Sequence, residues 1–249
     1  MNEEKDWHEQ DEFWELYEEV FFNPDRVEAA TDEAAKIIAL TEVLPGARVL
    51  DLCCGIGRHS IEFARRGFKV TAVDRTKRYL ERAHRSADEA GVDIEFIESD
   101  MREFVRPNEF DLVLNMFTSF GYFEDATDDT QVAGQIMASL KPGGALILDS
   151  MGKEILARIF QPRSWERIGN TTVIEERWVT QNWGWIENRW MLIRDDKIYH
   201  HAISHRLYAA SEYIRLFKDA GASEAVCYGN LDGESYDHKA RRLVLLARK

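Results

Sequence analysis

The residues best placed to do chemistry in this sequence are an acid and the glycine-rich turn that follows it. Asp51 ends a short apolar run, and Gly55 and Gly57 stand shortly after it. Glycines at alternate positions allow a tight turn and let a ligand approach the backbone without meeting a Cβ atom. A helix predicted to begin at about Arg58 would point its unpaired N–H groups at the same place. The segment 49–60 therefore predicts a cradle for a ligand of the nucleotide type.

The charge of this turn narrows the choice of ligand. A turn that binds the pyrophosphate of a dinucleotide has a third glycine, at the position where this chain has Ser60. The carboxylate of Asp51 would repel a pyrophosphate, but it can pair with an ammonium group. Taken alone, Asp51 is equally consistent with an acid that caps the turn or the helix.

Further acids follow the next predicted strands. Asp74 comes after the glycine turn at the distance expected for a carboxylate that binds the two hydroxyls of a ribose. Asp100 and Met101 follow the next strand, and Asn115 the one after. Alternating strands and helices favour an open, doubly wound α/β sheet with ligands at the carboxyl ends of its strands. The predicted strands are 47–52, 68–73, 94–100, 110–114 and, behind a Lys-Pro-Gly-Gly turn, 145–149.

In this order and at these spacings, the segments resemble the class I S-adenosylmethionine-dependent methyltransferases of the small-molecule type. The resemblance is close over 40–150 and looser at two predicted strands, 222–228 and 242–248. It implies a Rossmann-like, mostly parallel seven-stranded sheet, with the final strand antiparallel and inserted beside its predecessor. Cys53 departs from the family pattern, because it occupies the place of the first glycine.

The resemblance also implies the cofactor and its contacts. The cofactor would be S-adenosyl-L-methionine, which leaves as S-adenosyl-L-homocysteine. Asp100 would meet the adenine amino group, and Met101 would pack on the ring. The cofactor-binding residues that the resemblance implies are Asp51, Cys53, Gly55, Gly57, Arg58, Asp74, Arg75, Asp100, Met101 and Asn115.

Two regions outside this core are expected to set specificity. Aromatic residues at helical spacing between Phe13 and Phe21 predict an N-terminal helical lid, with Tyr17 as its expected contact. The alternative is a helix packed on the sheet edge. The expected divisions are 1–40 for the lid, 41–150 for the cofactor-binding core, 151–206 for an insert and 207–249 for the rest of the core sheet.

The insert is predicted to be an antiparallel sheet. It holds five of the seven tryptophans, and its segments 171–180, 185–194 and 197–206 are rich in β-branched and aromatic residues. It resembles the substrate-covering insert of small-molecule methyltransferases. The alternatives are an interface through which the chain forms a homodimer and a simple apolar sheet without a role in binding.

Three side chains are candidates for contact with the reacting groups. Tyr122 lies in an aromatic loop after the fourth strand, where the family holds the transferable methyl group. His205 stands nearest the return from the insert to the core, and Tyr236 lies in the loop between the last two strands. The structural alternatives are aromatic packing for Tyr122, a hydrogen-bonded histidine for His205 and a polar turn for Tyr236.

Composition limits the partners. A formal charge of −13 argues against nucleic acid, which is bound mainly through lysine and arginine. The sequence has no apolar run long enough for a membrane span, and an acidic N-terminus unlike a secretion signal. Three cysteines form no disulfide framework, and no metal-ligand motif is present, so a metal-free cytoplasmic protein is expected.

The expected function is methyl transfer to the nitrogen or oxygen of a small molecule by in-line displacement. Three other classes of protein are alternatives. A nicotinamide dehydrogenase is disfavoured by Asp51 and by the missing third glycine. An aminopropyltransferase would have a further acidic pair after the fourth strand, of which Asp125, Asp128 and Asp129 are only a faint counterpart. A non-catalytic cofactor-binding subunit remains the third alternative.

Overall fold

Two β-sheets of different kinds organise the chain in the computed structural model, which describes residues 6–249. The strands are β1 (Arg48–Leu52), β2 (Lys69–Asp74), β3 (Ile94–Glu98), β4 (Phe110–Asn115), β5 (Leu140–Ser150), β6 (Arg163–Ile168), β7 (Thr171–Thr180), β8 (Trp185–Arg194), β9 (Lys197–Arg206), β10 (Glu224–Tyr228) and β11 (Leu243–Arg248). The α-helices are α1 (Asp11–Phe21), α2 (Pro24–Thr41), α3 (Arg58–Arg65), α4 (Lys77–Ala90), α5 (Ala126–Ser139), α6 (Lys153–Ile159) and α7 (Ala210–Asp219). Short 3₁₀ helices span Trp7–Glu9 and Gln181–Trp183.

The larger sheet has the predicted doubly wound topology. Its seven strands lie in the order β10-β11-β5-β4-β1-β2-β3, and the first five strands of the chain pair in parallel. The final strand, β11, lies antiparallel between β5 and β10, as expected. The chain turns to opposite sides of the sheet after β1 and after β4, so the carboxyl ends of these two neighbours form the switch point where such folds bind ligands.

The core strands are almost continuously apolar because helices cover both faces of the sheet. Val49 and Leu50 in β1, and Leu112 and Leu114 in β4, are fully or almost fully buried. Successive residues alternate between the two apolar layers, with Leu50 in one and Val49 in the other. The interior therefore fixes the strand ends from both sides, and with them the groups that follow each strand.

The predicted core strands agree with the structure to within about two residues, except for β5. This strand begins at Leu140 rather than at Ala145, so the Lys-Pro-Gly-Gly segment lies within it. The pairing of β4 with β5 jumps from Phe110–Leu140 to Leu112–Ala145. The segment forms an irregularity at the start of the strand, and Gly143 supplies the left-handed conformation (φ 79°) that it requires.

The smaller sheet is the predicted antiparallel insert, with one strand more than expected. Its order is β6-β7-β8-β9, and the bounds of β7, β8 and β9 match the prediction. The missed edge strand, β6, has the sequence Arg-Ser-Trp-Glu-Arg-Ile and is mostly exposed. Its charged residues leave no apolar alternation to recognise, although they suit an edge strand.

The N-terminal helix packs on the insert. Phe13, Tyr17 and Val20 of α1 form a cluster with Val173 and other buried residues of the insert. At the end of α1, the Asn23 side chain caps α2 by accepting the N–H of Arg26 at 3.0 Å. Within residues 6–249, no helix has the length and apolar character needed to cross a membrane.

Candidate active site

A cavity of about 410 Å³ lies at the carboxyl ends of the parallel strands, between the two sheets. We call its three sides the floor, the wall and the roof. The floor consists of 51–55, 73–76, 99–101 and 116–119 in the core. The wall comes from the N-terminal segment and contains Trp7, His8, Phe13, Trp14, Val20, Phe21, Phe22 and Arg26. The roof is formed by insert residues Glu166, Glu175, Trp190, Ile203 and His205.

The turn after β1 has the left-handed backbone that its glycines were expected to allow. Cys53, at the place of the first family glycine, has a φ of 64°, and Gly55 and Gly57 have φ values of 57° and 75°. A Cβ atom on Gly55 would lie 2.6 Å from Cζ of Phe22, so the wall approaches this glycine closely. Gly57 does not line the cavity; a Cβ there would lie 2.9 Å from Cβ of Ala83 in α4. Gly57 therefore serves close helix packing rather than direct contact with a ligand.

Asp51 lies at the end of the cavity floor and is almost fully buried. Its Oδ2 accepts a hydrogen bond of 2.5 Å from the hydroxyl of Ser60. Burial raises the pKa of Asp51, while His59, Ser60 and Arg58 act in the opposite direction. The serine at the third glycine position thus holds the carboxylate of Asp51 in place.

Asp74 is held by the backbone on both sides. Oδ2 accepts the N–H of Gly55 and Oδ1 accepts the N–H of Thr76, each at 2.8 Å. Burial raises the pKa of Asp74, and these two hydrogen bonds oppose the rise. Each carboxylate oxygen has a further lone pair, so the group can receive two adjacent hydroxyls from the cavity.

Asp100 is fixed by its neighbour Arg102. The backbone N–H and the guanidinium of Arg102 donate to Oδ1 at 2.8 and 3.0 Å, and the guanidinium reaches Oδ2 at 2.8 Å. Burial would raise the pKa of Asp100, but the hydrogen bonds from Arg102 outweigh it and lower the pKa. Met101 lies beside it, with its sulfur 3.6 Å from Sγ of Cys53.

Arg75 and Arg58 line the cavity, but both are already engaged. Arg75 donates to the backbone carbonyls of His8 and Glu9 at 2.9 and 3.0 Å, which ties the wall to the floor. Arg58 pairs with Glu33 at 2.6 Å. The two arginines are therefore better placed to hold the cavity together than to bind a cofactor directly.

Asn115 lies outside the cavity lining, although the sequence predicted it as a cofactor contact. Its side chain is fully buried and does not line the cavity. Nδ2 donates to the carbonyl of Leu52 at 3.2 Å, beneath the glycine turn, and Oδ1 has no hydrogen-bond partner in the described part of the chain. As the last residue of β4, Asn115 supports the turn from below.

The loop after β4 has an uncommon backbone that the sequence did not reveal. Phe117 and Thr118 are consecutive non-glycine residues with φ values of 62° and 61°. Both N–H groups donate to Asp149, one to its side chain at 3.2 Å and one to its carbonyl at 2.8 Å. Arg242 binds the same carboxylate through two hydrogen bonds of 2.7 and 2.6 Å. Such a backbone persists only where its surroundings impose it, and here the partly buried ion pair of Arg242 with Asp149 does so.

Two of the three predicted catalytic candidates face the cavity. Tyr122 lines it among wall rings, with its ring centroid 4.9 Å from that of Trp7. Burial raises the pKa of Tyr122, so its hydroxyl stays protonated at neutral pH. His205 lies in the roof; desolvation lowers its pKa to about 4, so the imidazole is neutral at pH 7. The imidazole of His205 forms no hydrogen bond with another of residues 6–249.

Tyr236 and Tyr17 lie elsewhere, contrary to expectation. The hydroxyl of Tyr236 donates to Glu154 at 2.9 Å, and its ring lies outside the cavity lining. A bridge between Tyr228 and Ser235 folds this loop back toward α6. Tyr17 is fully buried against the insert, with its ring centroid 5.3 Å from that of Trp190. Other aromatic residues of the wall therefore face the cavity in its place.

Several cavity residues were missed because they come from distant segments. Arg26 donates to the carbonyls of Val20 and Phe21 and lies 4.7 Å from the ring centroid of Phe117. It forms no ion pair with any residue that the structure describes. Glu175 was also missed, although alternation along the predicted strand 171–180 would have placed it on the same face as Val173. Among residues 6–249, no three metal-binding side chains come together.

The fold and the arrangement of this cavity resemble those of one class of protein. Acids at the carboxyl ends of three successive strands, around a glycine turn at the switch point of a seven-stranded sheet, are the arrangement found in class I S-adenosylmethionine-dependent methyltransferases. The methyltransferase domain family matches residues 49–144. The resemblance seen in the sequence is thus confirmed for the domain and for the fold.

Known proteins similar to this chain agree with that class. A ubiquinone biosynthesis O-methyltransferase from Xanthomonas euvesicatoria is 33% identical over 112 residues, which is 44% of this chain and 45% of that protein. The match spans about half the length of such relatives. The crystal structure of an S-adenosylmethionine-dependent methyltransferase from Clostridium acetobutylicum aligns with 95% of this chain and over 97% of its own length, with a TM-score of 0.77 and 17% identity. The structure of the amino pentose methyltransferase CalS10 from Micromonospora echinaspora aligns with 89% of this chain and over 91% of its own length, with a TM-score of 0.64 and 24% identity.

Proposed function

We propose that this protein is an S-adenosylmethionine-dependent methyltransferase that methylates the nitrogen or oxygen of a small molecule by in-line displacement. The observation that carries the proposal is the floor of the cavity. Asp51, Asp74 and Asp100 lie at the carboxyl ends of three neighbouring strands and surround one glycine turn. The relatives named above are methyltransferases, and the matched domain contains all three acids.

The residues present fit the cofactor part by part. Asp74 keeps two lone pairs toward the cavity for the ribose hydroxyls. Asp100 and Met101 suit the adenine end, and Asp51 suits the ammonium of the methionine end. Arg26, a cation without an ion-pair partner among the described residues, is our candidate for the cofactor carboxylate.

The protein would contribute alignment and exclusion of water. Bound S-adenosylmethionine supplies an already activated methyl group on a sulfonium. The aromatic wall and the insert roof cover the floor, and Phe117 to Ser119 border the space where an acceptor would lie. Holding two reactants in line can supply much of the rate enhancement of such a reaction.

The two cavity-facing candidates would act without forming a covalent bond. Protonated Tyr122 can donate a hydrogen bond to a ligand, and neutral His205 can accept one. An amine acceptor that arrives deprotonated needs no dedicated base. A hydroxyl acceptor needs one, and His205 is the group in the roof that would take this role.

The class of acceptor, the oligomeric state and the cellular compartment are proposed from composition and from the cavity. The acceptor is a small molecule rather than nucleic acid or a membrane, because the chain is strongly acidic and its cavity is enclosed by the insert. A homodimer through the insert is proposed as the alternative use of that sheet. The three free thiols suit a reducing cytoplasm, which we propose as the compartment.

Calorimetric titration with S-adenosylhomocysteine tests the proposal, with NADH as a parallel control. We expect binding in the micromolar range, about −8 kcal/mol, for S-adenosylhomocysteine alone. Tight binding of NADH would instead indicate a dehydrogenase. A subsequent incubation with S-adenosylmethionine and candidate acceptors should yield products that gain one CH₂ unit by mass spectrometry.

A further inference from the structure

The roof of the cavity carries a carboxylate that is fixed on one side and free on the other. Oε2 of Glu175 accepts the hydroxyl of Ser164 at 2.7 Å and pairs with the guanidinium of Arg177. Oε1 of Glu175 has no hydrogen-bond or ion-pair partner among residues 6–249, and Glu175 lines the cavity. Two contacts to the same oxygen hold the side chain in one orientation. The other oxygen is therefore a pre-oriented acceptor.

The neighbours of Glu175 make this face of the insert anionic and aromatic. Glu166 lies on the adjacent strand β6 and lines the same cavity; it forms no hydrogen bond or ion pair in the described chain, and its charge acts on Arg26 of the wall. Trp190, on the adjacent strand β8, pairs directly with Glu175 and adds an aromatic ring to the lining. The nearby cation Arg177 is already paired with Glu175, so the roof offers two carboxylates and no free cation.

We propose that the methyl acceptor is a primary or secondary amine of a small molecule, and that Glu175 is the specificity residue that receives it. This inference rests on the proposed methyltransferase function. An N–H of the acceptor donates to Oε1 of Glu175. The lone pair of the nitrogen then points away from the carboxylate and toward the floor, where the cofactor is assigned.

The roof discriminates among acceptor types by charge. A carboxylate acceptor would face Glu175 and Glu166, while Arg26 of the wall is assigned to the cofactor carboxylate, so such an acceptor is repelled. A cationic amine is attracted by both acids and by the ring of Trp190. An alcohol can donate to Glu175, but it then needs a base, and the neutral imidazole of His205 is a weak one.

The atoms of the transfer balance without another reactant. The ammonium form of the acceptor gives one proton to water and becomes the free amine. The nitrogen lone pair forms the N–C bond, the C–S bond breaks, and sulfur keeps its electron pair as a neutral thioether. The methylated ammonium product can release a second proton to water when it leaves.

Matched acceptors test the proposal on the full-length wild-type protein. Benzylamine, benzyl alcohol and benzoate share one ring and differ in the polar group; cyclohexylamine, cyclohexanol and cyclohexanecarboxylate form a second set. Each is titrated into protein saturated with S-adenosylhomocysteine, and then incubated with S-adenosylmethionine. We expect the amines to bind at least about tenfold more tightly than their partners and to be the compounds methylated.

Two variants locate the effect. Glu175→Gln keeps the shape of the side chain and removes its charge, so amine binding should weaken by about tenfold. Glu176→Gln is the matched control, because its neighbouring carboxylate pairs with Arg163 outside the cavity lining. Amine binding should stay unchanged in the control. Thermal unfolding of both variants checks that each is folded.

The outcomes separate this inference from the proposed function. If S-adenosylhomocysteine does not bind, the methyltransferase proposal itself fails. If it binds but alcohols or carboxylates bind as well as the amines, or no acceptor binds, only the amine proposal is overturned. Equal loss in Glu175→Gln and Glu176→Gln would also overturn it, because a general charge effect would then explain the result.

Discussion

The floor and the roof of the cavity are built in different ways. The floor acids are held by groups close along the chain or by backbone: Asp100 by Arg102, and Asp74 by the N–H groups of Gly55 and Thr76. The wall and the roof are held together by contacts between segments that are distant along the chain. The indole of Trp7 donates to the carbonyl of Ser204, which lies 197 residues further on.

This difference separates two tasks. Backbone donors fixed by a strand end and a turn survive most side-chain changes, so the floor suits a cofactor that must always be bound in the same way. Side chains on the wall and the roof can be changed without disturbing the core sheet, so they suit recognition of a variable acceptor. We therefore expect mutations to affect stability, cofactor binding and acceptor binding separately.

The largest expected effect comes from the ion pair that joins the distant segments. Arg242→Met leaves the carboxylate of Asp149 without its cation and frees the loop of Phe117 and Thr118. Leaving the buried carboxylate of Asp149 without its partner should lower the free energy of unfolding by about 3 kcal/mol. Urea denaturation measures it. Arg241→Met, one residue earlier and exposed, should change stability little.

Activity should fall further than cofactor binding in Arg242→Met. The freed loop borders the space assigned to the acceptor, whereas Asp74 and Asp100 keep their own hydrogen bonds. Titration with S-adenosylhomocysteine under conditions where the variant is folded separates the two. A variant as stable as the wild type, or one that loses cofactor and activity in parallel, would contradict this division.

The second effect is a pH dependence of the free energy of unfolding, which arises from Asp129 where the insert meets the core. Asp129 is fully buried in α5, where its Oδ2 accepts Arg206 at 3.1 Å and Tyr208 at 2.7 Å. Burial raises its pKa to about 6 despite these contacts. A carboxyl group with a raised folded-state pKa binds its proton more tightly in the folded protein. Its contribution to stability is therefore present below about pH 4 and lost as the pH rises to about 6.

Asp129→Asn isolates this contribution. The stability of the wild type relative to the variant should decrease by about 3 kcal/mol between pH 4 and pH 7. Urea unfolding at several pH values gives the difference, and Asp219→Asn, at an exposed position, should show no such trend. A wild-type advantage that grows with pH would mean that Arg206 outweighs the burial of Asp129.

The sequence predicted the floor better than the roof for a physical reason. Strand periodicity and the turn glycines define where a strand ends. The sequence alone therefore predicts that Asp51, Asp74 and Asp100 lie at the carboxyl ends of the sheet. Arg26 and Arg242 are ordinary surface-type residues whose approach to the cavity depends on how α2 and β11 pack. Tyr236 was misplaced because the bridge from Tyr228 to Ser235 reverses its loop.

The third effect tests the floor alone. Asp74→Ala removes the acceptor of two backbone N–H groups and the proposed ribose contact. Binding of S-adenosylhomocysteine should weaken by at least about tenfold, equivalent to roughly 1.5 to 3 kcal/mol. Calorimetry measures the loss, and Asp93→Ala, exposed before β3, is the control. Undiminished binding would remove Asp74 from the cofactor site.

The smallest effect concerns the one residue at which the turn departs from the family. Cys53 adopts a φ of 64°, which costs a non-glycine residue about 1 to 2 kcal/mol. Cys53→Gly relieves that strain but makes the unfolded chain more flexible by about 0.5 to 1 kcal/mol, so the free energy of unfolding should change by less than about 1 kcal/mol. Cofactor binding should persist, because the turn keeps its shape.

Cys53→Val provides the opposite case. A β-branched residue is strongly disfavoured at this φ, so the variant should lose about 1 to 3 kcal/mol of stability and bind S-adenosylhomocysteine more weakly. Urea unfolding and calorimetry compare the two variants. If glycine abolishes binding while valine is tolerated, the thiol itself contributes to the site. If the expected order holds, the departure at Cys53 is a tolerated strain, and backbone conformation rather than side-chain chemistry defines this part of the floor.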